Sequence, residues 1–349
     1  SELHSLFADL TPLDDERAAP GLVVAALQEV CPLHLAFYPS ILAGTADSEA
    51  AEAWALALDE ALRSCAKAAQ GAPGYMRVLS ISLVGLLLVV WARSDVNGLI
   101  DEDPAPCTSV ARCGKYGAAN KGAVGVSLSL GGYQLCLVDV HLAAGEGKAR
   151  ASARVRDFEE ILWQLRFGQG ALQRNAFQHD LVLIAGDFNS RLNGAVEGSV
   201  AIKGEGAPAS APPLPSDMQP EEVARFMEER GDEITALRRA RCGAWALLEE
   251  APVDFPPSYK FAPGKSPFAP PSPAAWCDRV CWWARPTRFA TTTRPGCYRR
   301  VDGVHVSDHR PVCLCLELAP RPAPDAVGDT ADGKVNRLRR RSSSTCRHQ

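Results

Sequence analysis

Five short stretches of this chain concentrate groups able to handle a phosphate or a metal ion. They are Gln28-Glu29, Asp139-x-His141, Gly186-Asp187-x-Asn189 with Arg191 two residues on, Trp276-Cys277-Asp278-Arg279, and Ser307-Asp308-His309-Arg310. Each alone has an ordinary explanation. Gly, Asp and Asn form turns, a glutamate after a strand is usually only solvated, and a lone histidine is more often structural than catalytic. The last stretch also reads as a turn entering a strand, with Pro311 at its first position. Together they describe hydrolysis of a phosphate ester. A hard cation such as Mg2+ takes carboxylate oxygens while keeping waters and substrate phosphates. The reaction further needs a group to orient or deprotonate water and donors for the phosphoryl oxygens. Asp187, Asn189, His141, His309 and a metal on Glu29 meet those needs, and few other reactions use this set without a Cys or Ser nucleophile.

The elements around these stretches explain how they could converge. "LVLIAGDFNSRLNG" (181–194) is a buried strand that ends by presenting a carboxylate, a carboxamide and a guanidinium. Further strands are expected near 21–30, 78–91, 121–129, 133–142, 279–284 and 310–318. Helices are expected at 48–70, 148–167 and 220–240, the first rich in Ala, Leu and Glu. The apolar runs are two-sided and their ends polar, which is the pattern of a layered α/β protein with its functional groups at one sheet edge. The Gly-, Ala-, Pro- and Ser-rich stretch 194–220 reads as a flexible insertion. Residues 321–349 read as a disordered tail with a basic end, leaving 1–320 as one domain.

Composition narrows the function classes. The chain has 349 residues, a formal net charge of -4 and a pI near 6.0, which argues against binding long polyanions such as DNA. The longest apolar run, "VLSISLVGLLLVVW" (78–91), is too short to span a bilayer and reads as strands. The chain opens without Met and without the order of a secretory signal. Twelve cysteines include no CxxC pair, which disfavours a zinc site and fits a reducing, cytoplasmic location. Cys313 and Cys315, on one face of an expected strand, read as small core residues.

Three further segments narrow the reading. "AANKGAVGV" (118–126), "FPPSYKF" (255–261) and "AAWCDRV" (274–280) resemble the Asn-Lys-Gly, Pro-Thr-Tyr-Lys and Pro-Ala-Trp-Cys-Asp-Arg blocks of the inositol polyphosphate 5-phosphatases. "HLAAG" (141–145) and "RVRDF" (154–158) fit the same family, within the deoxyribonuclease-I-like superfamily, and the match runs in order from about residue 20 to 318. The resemblance implies a four-layer sandwich of two packed β-sheets flanked by helices. It implies Mg2+ on Glu29 with Asp308 close by, and Asp187 orienting and activating the attacking water. Asn189 would hold the scissile phosphate, His309 would contact phosphoryl oxygens with Asp278 fixing its tautomer, and His141 would lie across the phosphate. Asn120, Lys121, Arg191, Tyr259, Lys260 and Arg279 would bind substrate, an inositol polyphosphate or a phosphoinositide.

The chain also departs from that family. The opening strand with its Trp/Phe-Asn-Val-Asn motif has no match before residue 21, so either the chain is truncated ahead of it or the sandwich has lost that strand. The stretch before Trp276 has Lys265 as its one basic residue, which implies weaker discrimination for a neighbouring 4-phosphate. Cys346 lacks the aliphatic neighbours of a prenylation box, and the five Arg after residue 336 read first as a solvated tail, with weak peripheral contact with anionic membrane as the alternative. The readings weighed against a 5-phosphatase are a nuclease or sphingomyelinase of the same superfamily, and a pocket that binds without turnover.

Overall fold

The computed structural model describes residues 2–10, 19–31, 47–68, 74–113, 121–170, 173–192, 218–264 and 274–321. Asn120, nearly all of the expected insertion and the tail beyond Arg321 lie outside these residues.

Two sheets make the sandwich. The first has the order β1-β3-β2, from β1 (Leu22–Leu27), β2 (Tyr75–Leu83) and β3 (Leu86–Arg93). The second has the order β4-β5-β6-β7-β8, from β4 (Cys107–Cys113), β5 (Lys121–Leu130), β6 (Tyr133–His141), β7 (Leu181–Asp187) and β8 (Asp278–Ala284). Helix α1 (Asp47–Ala68) covers the first sheet, a single turn α2 (Ser94–Asn97) follows β3, and α3 (Lys148–Gln164) covers the second sheet. Helices α4 (Pro220–Arg230) and α5 (Glu233–Arg239) follow.

Strand alternation builds this stack directly, because successive side chains point to opposite faces. In β3, Leu86, Leu88 and Val90 enter the core between the sheets, while Leu87, Val89 and Trp91 meet Ala51, Ala55, Leu58 and Leu62 of α1. In β6, Leu135 and Leu137 face the other sheet, while Cys136, Val138 and Val140 face the helix side with Phe158 and Ile161 of α3. Helix α3 is also the crossover that lets β6 and β7 run parallel.

Several expectations are refined. The apolar run 78–91 is a hairpin whose turn at Val84-Gly85 uses left-handed φ values of 42° and 86°. The helix expected over 220–240 breaks at left-handed Gly231, and Asp232 then caps α5 by accepting from the Thr235 amide. The strand expected over 310–318 is two pieces, β11 (Val312–Cys313) and β12 (Leu316–Pro320), which pair with β10 (Arg299–Arg300) and β9 (Phe289–Thr293). Cys313 and Cys315 sit at that break and are half-buried, not core residues. Strand β1 pairs with β3 alone among the described residues, and all six of its residues are half-buried.

Candidate active site

Register brings the sequence-distant groups together. His141 on β6 pairs with Asp187 on β7, and Asp187 pairs with Asp278 on β8, so the three occupy one row across the second sheet. By alternation all three share the face that looks toward the first sheet. Gly186 permits this row. Its φ is 133°, and a Cβ there would run into the Val140 carbonyl and the Asp139 carboxylate.

Asp187 is held from several sides. Its Oδ1 accepts from the Asn189 amide at 2.8 Å, and its Oδ2 accepts from Asn189 Nδ2 at 2.9 Å. His141 Nε2 lies 3.2 Å from the same Oδ2 and is also in close contact with Lys121 Nζ. Burial by itself would raise the pKa of this carboxyl. The His141 bond and the positive charge of His309, His141 and Lys121 override it and hold the carboxyl well below its ordinary range. Asn189, in the left-handed region at φ 51°, also donates to the Leu142 carbonyl at 3.0 Å. Its side chain is thus committed to positioning Asp187, and Arg191 Nη2 donates to its Oδ1 at 3.0 Å.

The second half of the site comes from the loop after β10. His309 Nδ1 lies 2.8 Å from Asp278 Oδ2, which also accepts from the buried Ser258 hydroxyl at 2.6 Å. Burial would lower the His309 pKa, but Asp278, with Asp187 and Asp308, raises it to about 9, so the ring is an imidazolium at neutral pH. Tyr259 stacks on that ring at 4.6 Å between centroids, and Arg191 lies over the other ring of the pair, Tyr259, at 4.6 Å. Lys260 Nζ is 3.5 Å from Asp308 Oδ2. Around His141, Arg154 binds the Ala143 and Gly145 carbonyls and forks onto Glu233, fixing the loop that leaves β6.

Glu29 approaches from the first sheet. It follows the end of β1 at φ 57°, 55% of its side chain is exposed, and His141 Nε2 lies 3.9 Å from its Oε1. Its neighbour Gln28 donates to Asp139 Oδ1 at 2.5 Å and so ties the two sheets together. Among the described residues Asp139 Oδ2 is buried without a hydrogen-bond partner, and burial raises this carboxyl well above its usual range. Ligand atoms of Asp187, Asp278 and His309 lie within 4.8 Å of one another among the described residues. In that trio, however, His309 Nδ1 is already bound to Asp278. The donor better suited to a hard cation is the Glu29 carboxylate, to which no hydrogen bond is made among the described residues.

Arg279 is not brought to this site. It follows Asp278 on β8 and therefore points to the opposite face, where its side chain has 0% exposure. Its guanidinium is spent on Glu250 at 2.5 and 2.8 Å and on Asp232 at 3.0 Å. It anchors the outer layer and has no surface to offer a substrate. Sequence reasoning missed Ser258, although the Ser-Tyr-Lys block that carries it was in view.

Comparison with known proteins places the chain in a family and a fold. The model of endonuclease/exonuclease/phosphatase family 2 matches residues 1–315. The type IV inositol polyphosphate 5-phosphatase 3 of Arabidopsis thaliana is 28% identical over 249 residues, covering 69% of this chain and 33% of that protein. Synaptojanin-2 of Homo sapiens is 26% identical over 277 residues, 70% of this chain and 16% of that protein. The chain thus spans about a third or less of these curated relatives. Among solved structures, the inositol polyphosphate 5-phosphatase domain of SPsynaptojanin, in complex with inositol (1,4)-bisphosphate and a calcium ion, superposes with a TM-score of 0.64. It is 23% identical and covers 90% of this chain and 80% of that one. A point mutant of Cimex nitrophorin, in its ferrous NO complex, shares the fold at a TM-score of 0.53 with 12% identity. It covers 88% of this chain and 93% of that one, so the fold alone does not select a chemistry. With nine-tenths of its length matched by the family model, this chain belongs to endonuclease/exonuclease/phosphatase family 2.

Proposed function

We propose that this chain is a Mg2+-dependent phosphatase that removes the 5-phosphate of inositol polyphosphates or phosphoinositides. The observation that carries the reading is the single row His141, Asp187, Asp278, with the His309 imidazolium on Asp278 and Glu29 facing the row from the other sheet. Choice of the 5-position is supported by the relatives named as inositol polyphosphate 5-phosphatases.

In this reading the phosphoryl oxygens meet His309 and Lys121, both cationic donors. Asp187, locked by Asn189 and His141, orients a water in line with the scissile bond. The water oxygen forms the new bond to phosphorus, the bond from phosphorus to the inositol oxygen breaks, and that oxygen leaves with a proton. Glu29 and Asp308 would hold Mg2+, and the chemistry such a cation would supply there is charge neutralisation at the phosphoryl oxygens. Tyr259, Lys260 and Arg191 form the wall on which the inositol ring rests. A cytoplasmic location, with peripheral attraction of the basic tail to anionic membrane, belongs to the same proposal.

The test is phosphate release in Mg2+ from inositol 1,4,5-trisphosphate and from a short-chain phosphatidylinositol 4,5-bisphosphate. Release that needs both Mg2+ and Asp187, with Asp187→Ala as control, supports the reading, and the ratio of rates assigns the substrate class. A second reading, binding without turnover, is favoured by the one-sided pairing of β1, among the described residues, beside Glu29. Calorimetric binding of the trisphosphate with no phosphate release would select it.

A further inference from the structure

Eleven of the twelve cysteines lie in the described residues, and none of the eleven is in a disulfide. Three of them meet at one place away from the row of acids. Cys297 lies between β9 and β10, while Cys313 and Cys315 flank the break between β11 and β12. The Cys315 amide donates to Cys297 Sγ at 3.1 Å, and the Cys297 thiol reaches the Cys315 carbonyl at 3.3 Å. Cys313 instead turns its thiol to the Cys297 carbonyl, at 3.6 Å.

This pairing is asymmetric. Donation from the Cys315 thiol, opposed by burial and helped by the Cys315 and Arg294 backbone, brings Cys297 down to about 6. Bonding to Cys297 and burial push Cys315 up. Cys297 is therefore the more readily ionised of the two thiols, with the protonated Cys315 thiol against it. Elsewhere burial raises Cys136, Cys277 and Cys281, which makes them inert.

We propose that Cys297 and Cys315 are a peroxide-sensitive pair that closes into a reversible disulfide, stapling the neck of the hairpin that carries Asp308 and His309. That hairpin is β10–β11, with Arg299 opposite Cys313, Arg300 opposite Val312, and the Val301 amide on the Pro311 carbonyl at 2.7 Å. The Cys297 thiolate attacks one oxygen of a hydroperoxide, forming a sulfur–oxygen bond and expelling the other oxygen as hydroxide or alkoxide. The Cys315 sulfur then attacks the Cys297 sulfenic sulfur, loses its proton and expels water. Two thiols are oxidised, one peroxide is reduced, and a dithiol reverses the step. The proposal does not depend on the phosphatase reading.

The test treats the reduced full-length chain with one equivalent of hydrogen peroxide, blocks remaining thiols by alkylation and maps the peptides without reduction. The Cys297–Cys315 crosslink forms before any other cysteine is oxidised and disappears with dithiothreitol. In Cys315→Ser, Cys297 is trapped as a dimedone adduct; in Cys297→Ser, Cys315 stays reduced. Recovery of both residues alkylated while other cysteines oxidise overturns the proposal, as does a Cys297–Cys313 crosslink. The crosslinked protein also shows a thermal midpoint raised by several degrees, absent in Cys297→Ser, and an unchanged midpoint with the crosslink in place refutes the staple.

Discussion

Arg279→Met separates an anchor from a substrate contact. Methionine keeps much of the aliphatic volume but removes every donor from a site whose side chains have 0 to 1% exposure. Three bonds vanish, two to Glu250 and one to Asp232. Glu250 then keeps Arg238 and the Tyr298 hydroxyl, and Asp232 keeps Ser190 and the α5 cap, but no buried cation remains between the two carboxylates. Removing one partner of a buried ion pair costs about 3 to 5 kcal/mol. At roughly 2 °C per kcal/mol for a domain of this size, the thermal midpoint falls by about 6 to 10 °C. Circular dichroism at pH 7 measures the midpoint, and steady-state kinetics at a temperature where both proteins are folded measures KM. The expected result is the large fall in midpoint with KM unchanged. A midpoint within about 1 °C of the parent together with a raised KM would refute the reasoning and return Arg279 to the substrate.

Three other outcomes follow from the same geometry. His309 is raised from 6.5 to about 9, so its stabilising contribution is complete below pH 6.5 and is lost as pH rises through 9; urea unfolding should weaken over that window, and Asp278→Asn should flatten the slope. Gly186→Ala forces a Cβ onto the Val140 carbonyl at φ 133°, costing about 1 to 3 kcal/mol and moving Asp187 out of its row; a variant as stable and active as the parent would contradict the packing. Burial raises the Asp139 carboxyl well above its ordinary 3.8, so the parent loses stability as pH rises above that value while Asp139→Asn does not; the stability gap between them should widen as pH is raised from 3.8, and a constant gap would refute the upward shift.

Two-sided apolar runs made β3, β5, β6 and β7 legible, because buried strands of a layered fold read as continuous Val and Leu. β4 was missed because "CTSVARC" alternates buried and exposed residues, and among the described residues it pairs on one side only. The break at Gly231-Asp232 carried a readable stop and cap that the longer helical pattern masked. The grouping of His141, Asp187, Asp278 and His309 followed from motifs whose types suit the chemistry. Their individual duties needed cross-strand geometry. Asn189 is committed to Asp187 only because the Leu142 carbonyl lies across from it. Arg279 is an instructive miss, since alternation alone sends it away from the face that Asp278 occupies.

Strand β1 gives the site two unequal supports. Asp187 rides on β7, which is laddered on both flanks by β6 and β8, whereas Glu29 extends from a strand laddered on one flank among the described residues. The Asp187 side of the site is therefore stiff and the Glu29 side compliant. Amide deuteration at β1 should outpace that at β7. A strand added beside β1 would firm the support of Glu29 while leaving Asp187 where it stands, so the two sides of the site are separately adjustable.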